Sequence, residues 1–195
     1  MAEDKELHII AGPNGAGKTT SAKSLLPDFL ETNEFVNADK IAAGISPLNP
    51  SSVSLYAGRL MLKRINDLIA HEKSFAIETT LSGKNYLDLI EEVRKKGYLV
   101  NLVFLYLDIP ELAKERVENR VRAGGHNIPE IDITRRFYRG ITNLIDFYLP
   151  IVDTASIYDA STTKRERVAE KLGDQITILN EQVWQKMLDK KQQNI

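Results

Sequence analysis

The eight residues Gly12-Pro13-Asn14-Gly15-Ala16-Gly17-Lys18-Thr19 constrain this chain more than any other stretch. They fit the pattern G-x-x-x-x-G-K-[ST] at every fixed position. Glycines at these places let the backbone turn tightly, so that successive N–H groups point into one cavity and cradle phosphate oxygens. Lys18 is predicted to reach the outer phosphates, and the Thr19 hydroxyl is placed to ligate Mg²⁺. A helix starting near Gly17 adds the positive end of its dipole. The context agrees: Leu7-His8-Ile9-Ile10-Ala11 reads as a short buried strand, and Ser21 to Leu26 as a helix stopping near Pro27. The whole stretch Gly12, Pro13, Asn14, Gly15, Ala16, Gly17, Lys18, Thr19 and Thr20 is therefore assigned to nucleotide contact.

The rest of the chain alternates strand and helix patterns, which argues a mostly parallel sheet covered by helices. Strands are expected at 34–37, 74–78, 98–107 and 155–159, with a small edge strand at 175–179. Long helices are expected from about Ser52, from Pro110 to Ala123 and from Asp132 to Tyr148. Ser82 is a candidate cap for a helix carrying Tyr86, Leu89, Ile90 and Val93. These features predict an α/β, three-layer P-loop NTPase fold. Its sheet has five to six mostly parallel strands, with helices on both faces and a helical arginine lid. At 195 residues the chain suits one domain, with the lid at about 119–139 and a helical tail at about 180–195.

Composition narrows the function classes. The 26 basic and 27 acidic residues nearly cancel, so no bulk field favours nucleic acid or an anionic membrane. The absence of cysteine rules out a disulfide framework and thiolate metal sites and fits a cytoplasmic location. The charged start Met1-Ala2-Glu3-Asp4-Lys5-Glu6 lacks the apolar core of a signal peptide. The strongly apolar run Leu102 to Leu107 falls far short of the roughly 20 residues that cross a bilayer.

A phosphate loop leaves the reaction open, so other residues must choose it. Asp39 follows the second strand, at the edge where open α/β sheets present ligand-binding groups. It can accept a proton from an attacking hydroxyl, or it can cap the helix at Lys40-Ile41-Ala42-Ala43. Glu78 ends the third strand, where an acid that holds Mg²⁺ would sit, and Thr79-Thr80 beside it can position a substrate. Asp108 also follows a long strand, but Asp108-Ile109-Pro110-Glu111 reads as a capping box. Between Asn119 and Arg139, the arginines Arg120, Arg122, Arg135, Arg136 and Arg139 flank Gly124-Gly125-His126. They suggest a lid that closes over phosphates. His126 suits either a phosphate contact or a hydrogen bond to the turn. Asp159-Ala160-Ser161 suits an adenine pocket or a plain strand-end turn.

The wording GPNGAGKTT also opens the ATPase domains of ABC transporters, and Leu81-Ser82-Gly83-Lys84 hints at their signature. The second glycine and the glutamine of that signature are missing, and the order of the acids is wrong. The arrangement instead resembles the zeta toxin family of P-loop kinases. The matching blocks are GPNGAGKTT, Val36-Asn37-Ala38-Asp39, Ile77-Glu78-Thr79-Thr80-Leu81 and Pro110-Glu111-Leu112 leading to Arg120, in that order. In its compact length the chain is similar to chromosomally encoded zeta-like ATPases.

The resemblance implies ATP (or GTP) and Mg²⁺ as cofactors and phosphorylation of a hydroxyl on a UDP-N-acetylamino sugar. It also implies a small helical antitoxin as partner. By resemblance, Lys18 binds phosphate, Asp39 is the base, Glu78 is a catalytic acid near metal and substrate, and Arg120 is one lid arginine. Arg122, Arg135 and Arg136 compete for the place of the second lid arginine, with Arg136 grouped among the catalytic candidates and Arg122 and Arg135 among the nucleotide contacts. Asn37, Asp39, Glu78 and Thr80 line the acceptor side, and Thr19 with Glu78 holds the metal. Ser82 stands where toxins of the family can carry a sugar-nucleotide-binding arginine. Two other functions remain open: a nucleotide-gated binding protein with no phosphorylated acceptor, and a polynucleotide 5′-kinase, which the balanced charge disfavours.

Overall fold

A computed structural model of the chain describes residues 5–25, 32, 34–125 and 127–192. His126, Pro27 and the last three residues lie outside these, as do the structural expectations placed on them. The parallel core of the sheet is built from β1 (Glu6–Ala11), β2 (Phe35–Val36), β3 (Phe75–Thr79), β4 (Leu99–Tyr106) and β5 (Thr154–Asp159). A hairpin of β6 (Glu166–Leu172) and β7 (Gln175–Ile178) extends it antiparallel, giving the order β2-β3-β1-β4-β5-β6-β7. The α-helices among the described residues are α1 (Lys18–Leu25), α2 (Ala38–Ile45), α3 (Ser54–Ala70), α4 (Leu87–Lys95), α5 (Pro110–Arg122), α6 (Glu130–Asn143), continued by a π-helical turn at Leu144–Tyr148, and α7 (Glu181–Gln192).

Seven strands replace the expected five to six, and the unforeseen one is β6. Its sequence ERVAEKL carries four charges and breaks the alternation of apolar residues, so it has no strand period of its own. Pairing supplies what periodicity does not. β6 lies antiparallel along the whole of β5, with a register shift at Ile157/Tyr158. The Lys171 stem is buried, and its ammonium ends on the Val152 carbonyl at 2.5 Å.

Side chains alternate across β1. Leu7, Ile9 and Ala11 join the main core with Ile65, Leu68 and Ile69 of α3, while Ile10 packs with Ala22 of α1 and with Ala76 on the opposite face. The chain leaves β1 toward β2 and β3 on one side and later builds β4 and β5 on the other. The carboxyl end of β1 is thus a topological switch point, where such sheets leave a crevice.

Two expected caps are absent. Ile109 occupies the N-cap of α5 and makes no side-chain cap bond. The carboxylate of Asp108 instead accepts from Lys186 at 2.9 Å and Lys190 at 3.4 Å, tying α7 to the end of β4. Tyr86 stands at the N-cap of α4, and Ser82 Oγ lies 2.9 Å from Thr80 Oγ1. A local sequence pattern does not reveal a partner on a distant helix, and α7 is that partner for Asp108. No described helix is long and apolar enough to cross a membrane.

Candidate functional site: a phosphate-loop cleft

Sheet register brings the first site residues together. Ile10 pairs with Glu78 and Ala11 with Thr79, so the last residues of β3 lie beside the entry to the glycine loop. Val36 pairs with Ile77, which sets Asn37 next to Glu78 on the other side. Three segments far apart in sequence therefore converge at one sheet edge. A cleft of about 380 Å³ opens there.

Its floor is the loop itself. Gly12 has φ +140°, and a Cβ on it would collide with the Leu105 carbonyl oxygen, so only glycine fits. Asn14, Gly15, Gly17, Lys18, Thr19 and Thr20 line the cleft. Gly12 and Ala16 are buried in the loop backbone, as is Pro13, whose carbonyl accepts from Lys18 Nζ at 2.9 Å. Burial brings the Lys18 ammonium down to about 8. The carboxylates of Glu78 and Asp39 work against that shift, and the cations Arg120 and Arg136 add to it.

One carboxylate oxygen joins the two sides. Glu78 Oε2 accepts the Thr19 hydroxyl at 2.7 Å and the Asn37 amide at 2.8 Å. Asn37 also caps α2, its Oδ1 accepting from Lys40 N at 3.1 Å. That removes the capping explanation for Asp39, which sits in the first turn of α2 with its side chain exposed on the cleft wall. Thr79, Thr80 and Tyr86 complete that wall.

The predicted arginines divide. Arg120 and Arg136 line the cleft. Arg122 and Arg135 do not: Arg122 points to solvent beside Glu118 at 3.7 Å, and Arg135 pairs with Asp132 at 2.6 Å. Helical geometry explains this, because a step of two residues from Arg120 or one from Arg136 rotates the side chain off the facing surface.

The residue one turn before Arg120, Arg116, occupies the cleft instead. Its guanidinium donates to the carbonyls of Ala160 and Ser161, both at 2.8 Å, and to that of Gly15 at 3.4 Å. The i, i+4 spacing of Arg116 and Arg120 was a usable signal. Asp159 and Ser161 form a strand-end turn, with Asp159 Oδ1 accepting from Ser161 N at 2.8 Å.

The fit to a divalent cation rests on donor chemistry. The Thr19 hydroxyl and Glu78 carboxylate offer two hard oxygens at 2.7 Å separation. No cluster of three His, Asp or Glu residues exists among the described residues. Such a pair suits Mg²⁺, which keeps waters and phosphate oxygens for its other positions.

The parallel order around β1, the glycine loop and the converging acids define a P-loop nucleotide-binding protein of the kinase type of fold. The zeta toxin family model matches residues 2–161, and the chain belongs to that family. An "uncharacterized protein" of Haemophilus influenzae is 32% identical over 127 residues, covering 65% of this chain and 88% of that one.

Among solved structures, the AvrRxo1-ORF1:ORF2 complex with ATP superposes with a TM-score of 0.74 at 17% identity. That match covers 94% of this chain and 63% of the other, so this chain spans less than two thirds of that protein. The PezAT chromosomal toxin–antitoxin system of Streptococcus pneumoniae gives a TM-score of 0.67 at 18% identity, covering 99% and 86%. At these identities the likeness is one of fold.

Proposed function

We propose that the chain is an ATP- and Mg²⁺-dependent kinase that transfers the γ-phosphate to a hydroxyl of a small molecule. The observation that carries this reading is the shared oxygen of Glu78, which ties Thr19 of the phosphate loop to Asn37 of the facing wall. That wall continues into Asp39, Thr80 and Tyr86.

In this reading the loop N–H groups and Lys18 hold the β- and γ-phosphates, and Arg116, Arg120 and Arg136 surround them with positive charge. Thr19 and Glu78 would hold Mg²⁺, which would supply neutralisation of phosphate charge. Asn37 keeps the Glu78 carboxylate turned toward Thr19. The acceptor hydroxyl stands against Asp39. As its oxygen bonds to the γ-phosphorus, the bond from that phosphorus to the ADP oxygen breaks, and the hydroxyl proton passes to the Asp39 carboxylate.

A cytoplasmic location, where ATP is available, fits this reading. The family suggests a UDP-N-acetylamino sugar as acceptor and a small antitoxin as partner. The PezAT likeness supports the partner. The acceptor is tested by transfer from γ-labelled ATP to sugar nucleotides, free sugars, nucleosides and RNA 5′ ends. Label in a small organic phosphate supports the reading, and label only on RNA ends replaces it with a polynucleotide kinase.

A further inference from the structure

The lid helix α6 meets both the cleft and the acceptor-side loop, through three residues on one face. Arg136 lines the cleft. Gly140, one turn on, lies so close to the loop after β3 that a Cβ there would meet the Thr80 carbonyl oxygen at 2.5 Å. Asn143, a further turn on, is buried and donates from Nδ2 to the Leu81 carbonyl at 2.7 Å. Steps of four and three residues keep side chains on the same face of a helix.

The loop so held is unusual in its backbone. Leu81 is fully buried with φ +54°, a conformation a leucine keeps only where its surroundings over-determine it. Inside the loop, Thr79 Oγ1 accepts from Leu81 N at 3.0 Å. From the turn that continues α6, the Tyr148 hydroxyl donates to the Gly83 carbonyl at 2.8 Å. Three anchor points on the loop, at Thr80, Leu81 and Gly83, thus meet α6 or its continuation. Thr80 from this loop and Arg136 from the helix face the same cleft.

We propose that α6 couples the two halves of the cleft, with Gly140 and Asn143 as positioning residues that carry displacement of Arg136 into the loop Thr80–Gly83. The inference rests on the nucleotide-binding reading above. The segment from Arg136 to Asn143 is a rigid rod of about 10 Å at 1.5 Å per residue. The contact at Gly140 leaves no slack, and the Asn143 bond is shielded from competing water. When phosphates draw Arg136 inward, the loop carrying Thr80 must follow or lose these anchors. Nucleotide then orders the acceptor wall without touching it.

Hydrogen exchange of the full chain, with and without AMP-PNP and Mg²⁺, tests this. In the unaltered protein, saturating nucleotide is expected to slow exchange at 11–20, at 130–140 and, by roughly fivefold or more, at 79–87. In Asn143→Leu the first two responses persist, and the response at 79–87 is lost. A merely structural role for Asn143 would raise exchange at 79–87 in the nucleotide-free protein yet leave the nucleotide-dependent increment intact. An unchanged increment in Asn143→Leu therefore overturns the proposal, as does protection at 11–20 with none at 79–87 in the unaltered protein. Absence of protection at 11–20 itself defeats the nucleotide-binding reading instead. Gly140→Ala, which pushes on the Thr80 carbonyl, carries the same readout if Asn143→Leu fails to fold.

Discussion

The Thr19 hydroxyl donates to Glu78 Oε2 at 2.7 Å, a bond between the first helical turn after the phosphate loop and the end of a strand fifty-nine positions later. Both groups present oxygen to the same point, which suits a shared hard cation.

Glu78→Gln is therefore expected to raise the Mg²⁺ concentration needed for tight ATP binding by about tenfold or more, with metal-free ATP binding changed less than threefold. The amide retains the shape and an acceptor oxygen but gives up the charge. Calorimetric titration of ATP at a series of Mg²⁺ concentrations checks this. Identical metal dependence in the two proteins would remove Glu78 from the metal site.

Lys18 gives a pH prediction. Its ammonium is lowered to about 8, chiefly by burial, and phosphate oxygens beside it favour the charged form. Below pH 8 the free protein already carries the charge. As pH rises through about 8 the free protein loses it, so binding nucleotide must take up a proton and affinity must fall. Calorimetry at pH 8.5 in two buffers of different ionisation enthalpy should show proton uptake that disappears in Lys18→Met.

His8 on β1 gives a second prediction, in stability. It is buried, and desolvation lowers it to about 4. Thr154 Oγ1 donates to Asn101 Oδ1 at 2.6 Å, which turns the Asn101 amide nitrogen toward His8 Nδ1 at 3.5 Å and favours an unprotonated nitrogen there. Nε2 lies 2.9 Å from Glu6 Oε2 but out of line for a hydrogen bond. The unfolded chain binds a proton near pH 6.5 that the folded chain refuses until about pH 4. Stability is thus fully present above pH 6.5 and falls across that window, by up to about 3 kcal/mol. Denaturant midpoints measured between pH 4 and 7 check it, and His8→Leu should flatten the slope.

Arg116 ties α5 to the glycine loop and to the turn after β5. Arg116→Met keeps the stem and leaves the carbonyls of Ala160 and Ser161 without their donor. A loss of about 1–3 kcal/mol in stability and at least tenfold in nucleotide affinity is expected. Chemical denaturation and nucleotide titration read the two effects separately.

Much of this site could be read from sequence because its chemistry sits at strand ends. The glycine loop and Asp39 each follow a recognisable strand and Glu78 stands at the end of one, and parallel register then aligns strand ends without further instruction. Helix caps and arginines were harder to place. Asn37 takes the cap that was offered to Asp39, because only the folded backbone shows which side chain reaches Lys40 N. Arg116 and Arg122 are equally arginine in sequence, and facing direction on α5 separates them. β6 was hidden by its charges, and Asp108 by a partner helix more than seventy residues away.

Asp39→Asn in a transfer assay decides whether Asp39 takes the proton of an acceptor hydroxyl. Purified protein is incubated with γ-labelled ATP, Mg²⁺ and a small-molecule extract. Labelled organic phosphate is expected from the unaltered protein and at least a hundredfold less from Asp39→Asn, with nucleotide affinity changed less than threefold. Equal yields of the same product from both proteins, or label that appears only as inorganic phosphate, would contradict that expectation.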